Sequence, residues 1–155
     1  MAQLSLAPAR MIRLLFKNYR GSPQPFKYYR VSYNRALRDQ PLAIVRPRTE
    51  EEISQIVQVC SAERIRLAIR SGGHDFFGRS LVAGGIVIDM RATDSIIVSP
   101  DRARARVGGG VIAGTLQQSL AAHRLFTPTG QSKTGGYVSW ACGGGFGFYV
   151  GTFEG

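Results

Sequence analysis

The sequence predicts an α+β fold. Three features carry that expectation: short apolar runs on either side of one strongly capped amphipathic helix, a strictly alternating segment farther along, and glycine-rich loops between the elements. A length of 155 residues with 44% apolar composition is enough for one compact domain or two small packed lobes. No apolar stretch reaches the roughly 18 residues that a membrane-spanning helix needs, so a membrane span is excluded at this level.

Leu42 to Arg46 is an apolar run closed by Pro47 and reads as a strand. The next segment carries the clearest helix start in the chain. Thr49 and Glu52 have capping-box spacing: the Thr49 hydroxyl can accept from the amide three residues on, and the Glu52 carboxylate can reach back to the amide of Thr49. Glu50, Glu51 and Glu52 also complement the positive end of the helix dipole. Ile53, Ile56, Val57 and Cys60 recur at helical spacing, which predicts an apolar stripe packed on a sheet with Cys60 in the core.

Leu67 to Ile69 is a second strand, Gly85 to Met90 a buried strand, and Ser95 to Ser99 another, with a turn at Pro100-Asp101. Arg102 to Val107 alternates, so Ala103, Ala105 and Val107 should face a core while Arg102, Arg104 and Arg106 face water. That pattern makes the arginines a solvated sheet face rather than a phosphate-binding comb. Thr115 to His123 has helical composition, with Leu116, Leu120 and Ala121 on one side; a cation such as His123 suits the helix C-terminus. From Thr127 onward, glycine is too dense for ordinary packing elements, which suggests backbone lying directly against a ligand.

A formal net charge of +10 ordinarily points to an acidic partner such as nucleic acid or a membrane surface. Its location argues otherwise. Residues 1–40 hold eight Lys or Arg against Asp39 alone, so most of the excess belongs to a basic leader. The leader resembles an organelle presequence in being Arg-rich and acid-poor, but it lacks the apolar core and small-residue cleavage site of a secretory signal. The expectation is a solvated, partly ordered N-terminal arm over residues 1–40, a cytoplasmic location by default and no nucleic-acid partner. Cys60 and Cys142 have no metal-type spacing.

Two glycine loops hold the candidate chemistry. Arg70-Ser71-Gly72-Gly73-His74 follows a predicted strand, and consecutive glycines there let amides approach an anion without side-chain obstruction. It is neither a G-x-G-x-x-G fingerprint nor a P-loop, and taken alone a tight structural turn explains it equally well. The second loop, Gly130 to Gly147, sets Ser132, Thr134, Tyr137 and Ser139 among glycines, which suits hydrogen bonding to phosphates, sugar hydroxyls or ring heteroatoms. Two such loops can serve a long cofactor with a pyrophosphate and an extended chain.

Four motifs, in order, resemble the PCMH-type FAD-binding domain of the vanillyl-alcohol oxidase family: Pro47 to Ile53, Arg70 to Asp75, Gly84 to Met90, and Cys142 to Gly147. The Gly-Gly-His loop resembles its berberine-bridge-enzyme-like branch. The resemblance covers about residues 40–150. It implies a PCMH-type FAD-binding fold of two small α/β subdomains, incomplete at the C-terminus, over residues 41–155. It further implies that Arg70, Ser71, Gly72, Gly73, His74, Asp75, Ser80, Gly130, Ser132, Thr134, Gly135, Gly136 and Val138 bind FAD. In that family the histidine of the first loop bonds covalently to the flavin 8α-methyl, and His74 occupies its place. Bicovalent members add a cysteine, whose position falls on Ser132; a hydroxyl cannot replace the thiolate, so a single link is expected. Cys142 is expected to pack rather than attach, and Trp140 to line the flavin pocket or fill the core.

Family members carry a substrate domain after the cofactor domain, and no segment here corresponds to it, so no catalytic residue is assigned. The resemblance implies the FAD-binding part of an oxidoreductase acting on small-molecule alcohols, sugars or phenolic and alkaloid-type substrates. The alternatives are a non-catalytic truncated remnant and a basic nucleic-acid-binding module.

Overall fold

The computed structural model describes residue 32 and residues 34–149. The predicted leader therefore lies largely outside the described residues. Two units follow one another along the chain. The first is a parallel sheet of β1 (Ala43–Val45), β2 (Leu67–Arg70) and β3 (Ile86–Asp89) in the order β1-β3-β2, with α1 (Glu50–Ala62) between the first two strands. The second pairs β4 (Ile96–Val98) with β5 (Ala105–Val107) antiparallel, followed by α2 (Ala113–Ala122) and α3 (Tyr137–Cys142).

β3 is central because it can be buried on both faces, and all four of its residues are. Ile86 and Ile88 point to the α1 side, where they meet Ala43, Val45, Ile56 and Cys60. Val87 points the other way, onto Ala68 and Leu81 with Leu37 and Ile44 packed alongside. This period of two gives the small sheet a core on each face. The register sets Leu67 beside Ile86 and Arg70 beside Asp89, so β2 and β3 end together, and the first glycine loop leaves from their carboxyl ends.

α1 starts where the sequence places it. The Thr49 hydroxyl accepts from the Glu52 amide at 3.2 Å. The reciprocal half differs by one residue: the Glu52 carboxylate accepts from Arg48 N at 2.6 Å rather than from Thr49. The helix buries only Ile56 and Cys60, while Val57 is 43% exposed. Strands lie about 4.8 Å apart, so a three-stranded sheet is barely wider than the helix and covers a narrow stripe.

The alternating arginine segment is likewise shorter than its pattern suggests. Only Ala105–Val107 pairs with β4, and Ala103 and Ala105 are exposed rather than core-facing. The preceding residues are committed to a tight turn: Asp101 accepts from Ala103 N at 3.1 Å, Ser99 N donates to Arg104 O at 2.8 Å, and Arg102 adopts φ 61°. α2 packs Leu116 and Leu120 with Val111 against Ile96, Val98 and Val107. Ala121, expected on that side, is exposed. α3 differs from the loop that the glycine density predicts: of its six residues only Ala141 is a strong helix former, so the helix has no local signal.

The boundary of the arm also moves. Leu37 packs into the second core, Asn34 Nδ2 donates to Phe76 O at 2.9 Å, and Ser32 Oγ donates to Gly73 O at 3.4 Å. Charge alone had assigned these residues to a solvated arm. Ser32, Asn34 and Leu37 instead contact the first glycine loop or the core beneath it, because the apolar and amide side chains between the arginines find partners there.

Candidate functional site

The first glycine loop, residues 71–80, crosses the carboxyl ends of β2 and β3, the place where open parallel sheets bind ligands. Ser71, Gly73, Gly78 and Ser80 in it are buried. The second loop is held against the start of α2: Gly136 bridges Ile112, Ala113 N donates to Gly135 O at 2.9 Å, and Gly114 N donates to Lys133 O at 2.8 Å. Tyr137 N then donates to Val111 O at 2.9 Å, which fixes where α3 begins.

The two loops meet. A Cβ built on Gly72 would lie 2.4 Å from both Gly136 N and Thr134 O, and one built on Gly136 would lie 2.5 Å from Ser71 Oγ. Only residues without side chains allow backbone to approach backbone this closely. Between and in front of the loops is a cleft of about 870 Å³, within the range of small-molecule and cofactor sites.

Eleven of the thirteen expected binding residues line this cleft: Ser71, Gly72, Gly73, His74, Asp75, Ser80, Gly130, Ser132, Gly135, Gly136 and Val138. Thr134 does not line it but engages His74, whose Nε2 is 2.8 Å from Thr134 Oγ1. Arg70 also departs from the expectation of direct contact. It is only 3% exposed, and its Nη2 would be 2.6 Å from a Cβ on Gly73, so the guanidinium lies beneath the loop. Burial and the neighbouring Arg91 push its pKa down to about 10, with Asp89 opposing them; the group is a cation at neutral pH.

Asp89 anchors this underside. Fully buried at the end of β3, it pairs with Arg91 (Nη2 to Oδ2, 2.5 Å) and faces Arg46 Nε at 3.9 Å. Its Oδ1 also accepts from Arg91 N at 3.1 Å, capping the 3-10 turn Met90–Ala92. One carboxylate thus stands among three arginines, leaving net positive charge under the first loop, which favours an anionic ligand above it.

At the cleft wall, Asp75 accepts from the backbone and side chain of Arg79, including an Nη2 contact at 2.9 Å. Burial lowers the His74 pKa, which keeps the imidazole neutral at neutral pH. Trp140 lines the cleft with its Nε1 donating to Phe146 O at 2.8 Å. Cys142 is exposed and lines the cleft, so the expectation that it packs does not hold: α3 ends there and no element covers it among the described residues.

Several further residues line the cleft. Tyr137 and Ser139 are among them, and the hydroxyls set among the glycines of the second loop are the signal that marks them. Arg79 stands four residues from Asp75, a spacing that could have flagged the pair. Met90 and Gly109 come from distant parts of the chain, and nothing local marks them.

The walls fit a ligand rich in acceptors and donors. The hydroxyls of Ser71 and Ser80, both residues of the cleft wall, are buried with no hydrogen-bond partner among the described residues, and orphaned buried polar groups fit a wall that serves a polar ligand. A long cofactor with phosphates and hydroxyls meets that requirement along with the glycine cradle and the cationic underside.

Comparison with known proteins agrees with this reading. A family model described as an FAD binding domain matches residues 41–154. The chain is 39% identical over 114 residues to the FAD-linked oxidoreductase aurO of Gibberella zeae, covering 74% of this chain and 22% of that protein. It is 35% identical over 109 residues to the (R)-6-hydroxynicotine oxidase of Paenarthrobacter nicotinovorans, covering 70% and 24%. The solved structure of the D396N variant of BBE-like 1 from Physcomitrella patens superposes with a TM-score of 0.79 at 26% identity, covering 90% of this chain and 32% of that one. The chain thus spans about a quarter of the length of the curated relatives it matches.

Proposed function

The chain belongs to the FAD-binding domain family, and on that premise we propose that its cleft holds FAD with His74 as the single covalent anchor. The same premise makes it the cofactor-binding part of an FAD-linked oxidoreductase acting on small-molecule alcohols, sugars or phenolic and alkaloid-type compounds. The observation that carries the reading is the direct apposition of the two glycine loops, with His74 at their junction and unpartnered buried hydroxyls in the cleft wall.

FAD bound there supplies a two-electron acceptor for hydride from a substrate. The chain's own groups supply position and charge. The Ser71 and Ser80 hydroxyls meet polar groups of the cofactor, Gly72 and Gly73 allow backbone amides to approach its phosphates, and the arginines around Asp89 favour their negative charge. His74 is held neutral, the protonation state in which an imidazole nitrogen can act as nucleophile. Ser132 stands in the cleft where a second, cysteinyl link would require a thiolate, which leaves one link.

The test is acid precipitation of the purified chain after incubation with FAD in air. Flavin absorbance should stay with the wild-type polypeptide and pass entirely into the supernatant for His74→Ala. A wild-type chain that takes up no FAD contradicts the reading and favours a remnant without cofactor. Flavin released by acid from the wild type contradicts the covalent anchor alone.

A further inference from the structure

His74 does not sit in the cleft on its own. Its Nε2 is 2.8 Å from Thr134 Oγ1, and Thr134 Oγ1 is 3.1 Å from Ser132 Oγ, so imidazole and two hydroxyls form one row across the junction of the loops. We propose that Thr134, backed by Ser132, is the positioning residue for flavin attachment: it fixes the rotation of the His74 ring and relays the proton that the ring gives up, passing its own on to Ser132 and solvent. The proposal rests on the FAD reading above and adds a residue to it.

Four features make Thr134 suited to this. Its backbone is immobilised, because Thr134 O packs where a Cβ of Gly72 would be and Gly135 N donates to Ser132 O at 3.0 Å across the turn. Its side chain is β-branched and stiff at χ1, so the hydroxyl has few positions to explore. Thr134 is exposed and hydrogen-bonded to the half-buried Ser132, so the proton has a route to solvent. A hydroxyl is both donor and acceptor, so it can hold the neutral ring and relay its proton, releasing its own as it takes the ring's, without changing place. Ser132 thereby has a use of its own: where a cysteine could bond, its hydroxyl orients Thr134.

Attachment exchanges a methyl C–H of the flavin and the imidazole N–H for one N–C bond, and dioxygen takes up the two electrons and two protons as hydrogen peroxide. The ring must present a nitrogen to the methyl carbon while its N–H proton departs. Losing one aligned hydrogen bond is expected to cost about tenfold in rate.

The experiment follows covalent flavin incorporation when FAD is added in air to the purified flavin-free chain, by acid precipitation at timed intervals, for wild type, Thr134→Val, Thr134→Ser and Ser132→Ala. Reversible FAD affinity is measured separately by fluorescence quenching within the first moments of mixing. Thr134→Val, nearly isosteric, should attach flavin roughly tenfold more slowly than wild type at equal FAD occupancy, Thr134→Ser should restore most of the rate, and Ser132→Ala should fall between them. The ¹⁵N signals of His74 in the flavin-free chain should show one dominant ring form in wild type and a mixture in Thr134→Val. Attachment by Thr134→Val at the wild-type rate, or a slowing fully accounted for by weaker FAD binding, overturns the proposal. A wild type that binds FAD only reversibly removes the covalent anchor and the proposal together, whereas a wild type that binds no FAD overturns the cofactor reading itself.

Discussion

Asp89→Asn is expected to destabilise the chain by about 3–5 kcal/mol, the cost typical of removing one partner from a buried ion pair. The substitution keeps shape and one acceptor, so the loss reports charge rather than a cavity. Asp89 has no solvent exposure, and its carboxylate faces Arg91 at 2.5 Å and Arg46 at 3.9 Å, with Arg70 beside it in register. Without the anion, three guanidinium groups are left near one another, one of them almost wholly buried. The 3-10 turn that begins at Met90 also loses a charged acceptor. Urea unfolding followed by circular dichroism measures the effect. A shift below about 1 kcal/mol would mean that the arginines reach solvent or other partners and that the carboxylate does not hold the underside of the loop together.

Gly72→Ala should be nearly as severe, for a steric reason. Its added methyl would meet Gly136 N, Thr134 O and the Gly135 carbonyl carbon within 2.8 Å, all of them backbone atoms that no rotamer change can move. The loops must separate, at a cost of about 1–3 kcal/mol typical of overpacking. Function should suffer more than stability. Separation displaces the row from His74 to Ser132 and opens the cradle, so FAD affinity is expected to fall by roughly a hundredfold, equivalent to about 2.7 kcal/mol. Gly109→Ala is the matched control for folding, because its nearest neighbour is the flexible end of Met90 at 3.1 Å. Equal FAD affinity in Gly72→Ala and wild type would show that the close approach is incidental.

Much of the fold was legible because its strongest signals are local. The capping box at Thr49, the apolar run of β3 and the turn at Pro100-Asp101 each depend on residues within a few positions of one another. The failures arise where tertiary packing decides. Val57 has helical spacing but lies beyond the edge of a sheet of three strands, and Ala103 alternates correctly but is consumed by the Ser99 to Arg104 turn. Charge misassigned Leu37, since an arginine-rich stretch can still supply one leucine to a core. At the site, glycine density marked both loops, and the family resemblance placed His74 among them. The sequence could not show that the loops touch, that Arg70 works from beneath, or that Thr134 reaches His74 across sixty positions. The approach of the second loop depends on the pairing of Ile112 with Gly136, and the place of Arg70 on its burial beneath Gly73, neither of which a local pattern encodes.

Hydrogen–deuterium exchange of the purified chain with and without FAD reaches the shared cradle most directly. Added FAD should slow exchange in residues 71–80 and 130–138 together, at the same cofactor concentration, while the arginine-bearing segment 102–106 stays unchanged. Slowing confined to one of the two loops, or found only in the arginine segment, would contradict a single ligand gripped by both.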